Sequence, residues 1–174
     1  MLGIEKYDLN YISDFEELNK LYKKQFTDLL GKSIESYFVQ WELNENTWNE
    51  DGPIILLING VSFEFTAYQF DYSFTINKIK RTDKLDWYGA GSDMPLEWHE
   101  NPFERINTIL NRPITKIYAL EYGHSESFNL VGFEFEFEGT KDCLHISNGL
   151  DCNTIKLYRT INNDKNKRIE IKND

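Results

Sequence analysis

The segment Pro53–Phe70 leaves the chain least choice of fold. Pro53–Ile58 is apolar, Asn59-Gly60 follows, and Val61–Phe70 alternates apolar and polar residues. Asn-Gly accepts positive φ at both central positions of a type I′ turn, whose twist matches that of paired strands. A β-hairpin is predicted there. Its second strand opens Val-Ser-Phe-Glu-Phe (Val61–Phe65), and Val131–Phe135 reads Val-Gly-Phe-Glu-Phe, 70 residues further on.

More of the chain matches at fixed shifts. At 70, Phe74 meets Leu144, Ile76 meets Ile146, Leu85 meets Ile155 and Tyr88 meets Tyr158. At 80, Phe26 meets Ile106, Leu29 meets Ile109, Lys32 meets Arg112 and Ile34 meets Ile114. Alternating strands match one another by pattern alone. The shared order of helix, strand and Phe-Glu-Phe strand is what argues for duplication. The expected fold is α+β: two helices packed on mainly antiparallel sheet, a single domain 1–174 with pseudo-duplicated halves 1–92 and 93–174.

The first helix runs from a Ser13 or Asp14 cap to about Leu30, with a stripe including Phe15, Leu18, Leu21, Tyr22 and Phe26. Gly31 suits the position after its end. The second starts at Asn101 as N-cap with Pro102 in the first turn. Strands are expected at 34–43, 73–79, 83–88, 115–122, 130–138, 143–147 and 154–161. Residues 168–172 would form a closing hairpin. Residues 44–52 and 123–129 read as loops.

Forty per cent of the residues are hydrophobic and 28% charged, with a formal net charge of −10. Such a surface repels phosphate backbones and attracts basic proteins. No stretch is long and apolar enough for a membrane span, and the N-terminus lacks a signal peptide's apolar run. A cytosolic protein that binds neither nucleic acid nor membrane is expected. Cys143 and Cys152 match no zinc or redox spacing, and nucleotide, hydrolase and metalloprotease motifs are missing. No catalytic residue, cofactor or metal is therefore assigned.

Three histidines remain to be weighed. His124, near Glu121 and Glu126, reads as an exposed loop residue against a general base or ligand. His145 shares a strand face with Cys143, which supplies two ligands and no third. His99 lies in the most unusual surface segment, Glu97-Trp98-His99-Glu100-Asn101-Pro102-Phe103-Glu104. Acids there suit a helix N-terminus. They also suit a partner-binding patch with Trp98 as anchor and Glu97, His99, Glu100, Glu104 and Asp93 around it, flanked by Trp87 and Trp48. An alternative is a small-molecule or carbohydrate pocket, or a weakly marked enzyme, lined by Trp41, Trp48 and Trp87. Glu134, Glu136 and Glu138 alternate along one strand, with Glu64 matching Glu134, and read as a solvated outer face.

Leu130–Phe137 (Leu-Val-Gly-Phe-Glu-Phe-Glu-Phe), Leu144–Asp151 (Leu-His-Ile-Ser-Asn-Gly-Leu-Asp) and the acidic, Trp-containing middle loop resemble the immunity proteins of bacterial polymorphic and contact-dependent toxin systems. The resemblance implies a cytosolic non-enzyme that binds a toxin domain and blocks its active site. Many such toxins are nucleases with basic clefts, which an acidic surface would complement.

Overall fold

Asn59 and Gly60 carry φ of 52° and 74°, and between them the chain reverses as their sequence predicts. The computed structural model describes residues 2–124 and 127–172. In order the elements are α1 (Phe15–Thr27), β1 (Ile34–Glu42), β2 (Thr47–Trp48), β3 (Ile54–Ile58), β4 (Val61–Tyr68), β5 (Asp71–Ile76) and β6 (Leu96–Glu100). There follow α2 (Glu104–Asn107), β7 (Ile114–His124), β8 (Ser127–Phe137), β9 (Cys143–Asn148), β10 (Asn153–Leu157) and β11 (Asn166–Glu170). The protein is α+β and dominated by two antiparallel sheets.

Helix α1 is closed by reciprocal caps. The Asp14 carboxylate accepts the Glu17 N–H at 2.8 Å, and the Glu17 carboxylate accepts from the Ser13 N–H at 2.8 Å and hydroxyl at 2.9 Å. Leu18 and Phe26 enter the core, whereas Leu21 stays exposed. The expected second helix shrinks to four residues, Glu104–Asn107. Asn101 does not cap it: its φ is 51°, and its side-chain oxygen accepts the Tyr37 N–H at 2.9 Å. Helix α1 packs on both sheets through Phe26, which meets Phe74 of β5 and Phe133 of β8, and the two sheets also face each other directly. Phe65 of β4 meets Phe133 of β8 at 5.3 Å, and Phe26 stacks on Phe133 at 4.8 Å.

The first sheet has six strands: five run β6-β1-β3-β4-β5, since Phe38 pairs with Ile55 on one side and Glu100 on the other, and the short β2 also pairs with the end of β1. The second runs β11-β7-β8-β9-β10. Strand β6 belongs to the first sheet, so the division between sheets falls after Glu100 rather than at 92. Strand β11 pairs with β7 and closes no hairpin with β10. Residues 83–88 form no strand, only a bridge from Leu85 to Ile4. The expected 123–129 loop is strand up to His124 and again from Ser127, and Glu126 lies outside the described residues.

The two sheets correspond at a shift close to 80. Gly31 N–H donates to the Ile114 carbonyl at 2.8 Å, and Asn111 N–H donates to the Ile34 carbonyl at 2.9 Å. Register shifts follow Ile34 in β1 and Ile114 in β7. By place in the pairing, Ile55 answers to Glu134, Glu64 to His145, Thr66 to Ser147 and Thr75 to Lys156. Val61–Phe65 is thus in the fourth strand of its row and Val131–Phe135 in the third. The 70-residue match of those two strands is one of alternation, not of place. Only the outer pairing, β6 with β11, keeps a shift of 70: Phe38–Glu100 answers to Tyr118–Glu170.

Candidate functional site

The expected patch around Trp98 is a sheet edge. Trp98 and Trp87 are half-buried and pack with Leu2, Ile4, Tyr7, Phe38 and Ile55 on the outer face of the first sheet. Trp48 packs against the main core. The indole N–H groups of Trp48 and Trp98 are buried without a partner among the described residues. Trp98 is thus half-buried against the chain's own side chains on this outer face. Strand alternation turns Glu97 and His99 the other way. His99 Nε2 lies 2.7 Å from Glu97, and its ring stacks on Trp41 at 4.7 Å and 3°. Asp93, Glu97, Glu100 and Glu104 are exposed. The structure does not bring Trp41, Trp48 and Trp87 together: the first two border the main core and the third the outer cluster.

The glutamates expected on a solvated face are partly buried. Glu64 is fully buried and accepts Lys78 and Ile79 N–H, each at 2.8 Å, and the Thr75 hydroxyl. Glu134 is also fully buried. Its oxygens accept from Arg168 Nε at 2.6 Å, Thr160 N–H at 2.6 Å and His145 Nδ1 at 3.0 Å. Burial pushes the Glu134 carboxyl up, but these hydrogen bonds outweigh it and hold the group at about 2. Glu136 pairs with Arg168 at 2.7 Å and Arg159 at 3.1 Å, and Glu138 is exposed. His145 Nε2 lies 2.7 Å from Ser147 Oγ.

His145 and Ser147 open onto a groove of about 1050 Å³ on the outer face of the second sheet. Because β10 and β11 lie at opposite edges, residues 158–165 must cross that face to join them. This crossing is one wall of the groove, with Tyr158, Thr160 and Ile161. Tyr122 and Val131 line it further, and the turn residues Leu150 and Phe70 lie at one end. Phe70 is 83% exposed, Leu150 82% and Ile161 74%.

Those turns are locked together. Asp151 accepts the Gln69 N–H at 2.5 Å, and Asn148 Nδ2 donates to the Gln69 carbonyl at 2.9 Å. Asn153 ties residues 50–52 alongside, donating to the Gly52 carbonyl at 2.9 Å. Glu50, Asp51 and Asp151 thereby gather beside Leu150 and Phe70. Burial first, then Asp151 and Glu50, raise the Asp51 carboxyl above its usual value. Among the described residues no Lys or Arg pairs with these three.

Sequence reasoning missed this end of the molecule. A signal was present: Phe70 and Leu150 each sit in a turn, where an apolar side chain has no strand face to follow. Neither Cys143 nor His145 gains further ligands, and no cluster able to hold a metal occurs among the described residues. Among the described residues no helix is long and apolar enough to cross a membrane. No protein-family model, curated protein or solved structure matches the chain.

Proposed function

We propose that this chain is a small cytosolic binding protein of the immunity type, which occupies and blocks a basic partner such as a toxin domain. The observation that carries the reading is the end of the groove. Phe70 and Leu150, two fully presented apolar side chains, stand beside the uncompensated carboxylates of Glu50, Asp51 and Asp151. Apolar anchors supply affinity, and a negative field steers and selects a positive partner. The net charge of −10 acts in the same sense. The contact surface is placed here rather than at Trp98. The matching registers of the sheets also favour two copies of one unit, 13–100 and 101–172, in which the second copy keeps its outer face open.

Retention of proteins from the native source on the immobilised chain tests the reading. The expected result is a basic partner released by salt and lost with Phe70→Asp and Leu150→Glu. A partner that is acidic, or retained equally by both variants, overturns it.

A second reading rests on one observation: the hydrogen-bonded line Ser147–His145–Glu134 has the order of a nucleophile, base and acid, and it opens onto the groove. It would make the chain a weakly marked hydrolase.

A further inference from the structure

The outer faces of the two sheets differ in what covers them. Across the first, Phe38, Ile55, Glu64 and Thr75 lie in one row; across the second the row is Tyr118, Glu134, His145 and Lys156. Residues 77–95 cross the first face from β5 to β6, and only residues 158–165 cross the second. The first face also receives the chain's own irregular N-terminal segment. Leu2, Ile4 and Tyr7 pack there with Ile55, and Gln40 Nε2 donates to the Leu2 carbonyl at 2.8 Å. The Tyr7 hydroxyl ends 3.3 Å from Thr66 Oγ1 and 3.2 Å from Thr75 Oγ1.

The counterparts of Thr66 and Thr75 on the second sheet are Ser147 and Lys156, and both line the groove. Where one face holds a phenol, the other has the Ser147 hydroxyl, 2.7 Å from His145 Nε2, and the exposed Lys156 ammonium, 5.0 Å from the centre of the Tyr158 ring. Tyr122, Val131, Tyr158 and Ile161 offer the ring an apolar wall, so the site matches an amphipathic side chain better than a wholly apolar one. Past Leu150 and Phe70, outside the groove's own lining, Asp51 and Asp151 border a smaller pocket with Tyr68 and Gln69 and call for positive charge.

We infer that the groove binds a non-helical segment of the basic partner, with a tyrosine set against Ser147 and Lys156 and lysine or arginine beside Asp51 and Asp151. This rests on the binding function proposed above and specifies what the partner presents.

The probe is a synthetic peptide copying residues 2–9 with lysine in place of Glu5 and Asp8, Leu-Gly-Ile-Lys-Lys-Tyr-Lys-Leu. It is titrated into the full chain to about 2 mM and followed by amide chemical shifts. Shifts confined to the groove, with Ser147 and Lys156 among them, are expected. Phenylalanine for tyrosine in the peptide should weaken binding about three- to tenfold. Asp51→Lys with Asp151→Lys in the protein should weaken it further. No shifts, shifts around Tyr7 and Thr66 instead, or equal binding of the phenylalanine peptide overturn the inference. Equal affinity for N-acetyl-tyrosinamide alone also overturns it and marks a small-molecule site. The partner retention experiment contains no peptide, so failure of the segment assignment and failure of the binding function are read separately.

Discussion

Arg168 reaches Glu134 across an intervening strand, its Nε 2.6 Å from the carboxylate and its guanidinium 3.2 Å over the ring of Tyr118 in β7. The side chain thereby staples β11 to β8 over the face of the second sheet. Its hydrogen bonds to Glu134 and Glu136 outweigh burial and raise the guanidinium's affinity for its proton.

The staple has a pH signature. Glu134 is held at about 2 in the fold against an ordinary 4.5. A carboxyl depressed in the folded state stabilises fully above its unfolded value, and the contribution is lost as pH falls from about 4.5 through 2. The difference corresponds to about 3 kcal/mol. Urea unfolding of the wild type and Glu134→Gln should differ by that amount at pH 6 and converge towards pH 2. Arg168→Met should cost more, about 3–5 kcal/mol at pH 6, because it leaves Glu134 buried without a cation. A constant gap between wild type and Glu134→Gln across this range contradicts the assignment.

Stability and binding should separate between the two surfaces considered. Trp98→Ala removes a ring packed with Phe38 and Leu96, so it should destabilise by about 3 kcal/mol while leaving partner binding in place. Phe70→Asp and Leu150→Glu alter exposed turn residues and should change stability by no more than about 0.5 kcal/mol while abolishing binding. Thermal melts paired with retention assays read both quantities on the same preparations. A stable Trp98→Ala protein that has lost its partner would return the site to β6.

How far this was legible follows from which forces are local. The Asn59-Gly60 hairpin and the Ser13–Glu17 cap depend on neighbours in sequence, and the residues state them openly. The helix after Asn101 failed because a tertiary bond overrode a local preference: Asn101 serves the Tyr37 N–H instead of a helix end. The carboxylates of Glu64 and Glu134 read as solvent-facing because alternation gives the face and not its cover. What covers Glu134 is Thr160 and Arg168, supplied 26 and 34 residues later. The acidic cluster beyond the groove brings Glu50, Asp51 and Asp151 near one another through Asn153, a contact 101 residues long in sequence. Pattern within a window cannot contain it.

Gly132 within the near-repeated Val-Gly-Phe-Glu-Phe should tolerate no side chain. A Cβ there would stand 2.3 Å from the Ile146 carbonyl oxygen and 2.7 Å from Ser147 Cα, both backbone atoms of β9. The strand cannot retreat without breaking its pairing on both edges. Gly132→Ala should therefore destabilise by about 2–3 kcal/mol through overpacking alone. Gly60→Ala, with φ of 74° and open space around it, should cost only about 1 kcal/mol of backbone strain. Denaturant midpoints for the two variants should fall in that order.

The Ser147–His145–Glu134 line allows a direct test of catalysis against binding. In a working relay the acid stabilises the imidazolium that forms when histidine takes the serine's proton. Here Arg168 already compensates the Glu134 charge, and the Thr160 N–H shares the oxygen that faces His145. The carboxylate is already engaged by other partners, so the relay lacks its free acid and Ser147 stays a weak nucleophile. Incubation with a fluorophosphonate should leave the intact mass unchanged after hours at pH 8. A single adduct on Ser147, absent in His145→Ala but present in Phe70→Asp, would instead establish the hydrolase reading.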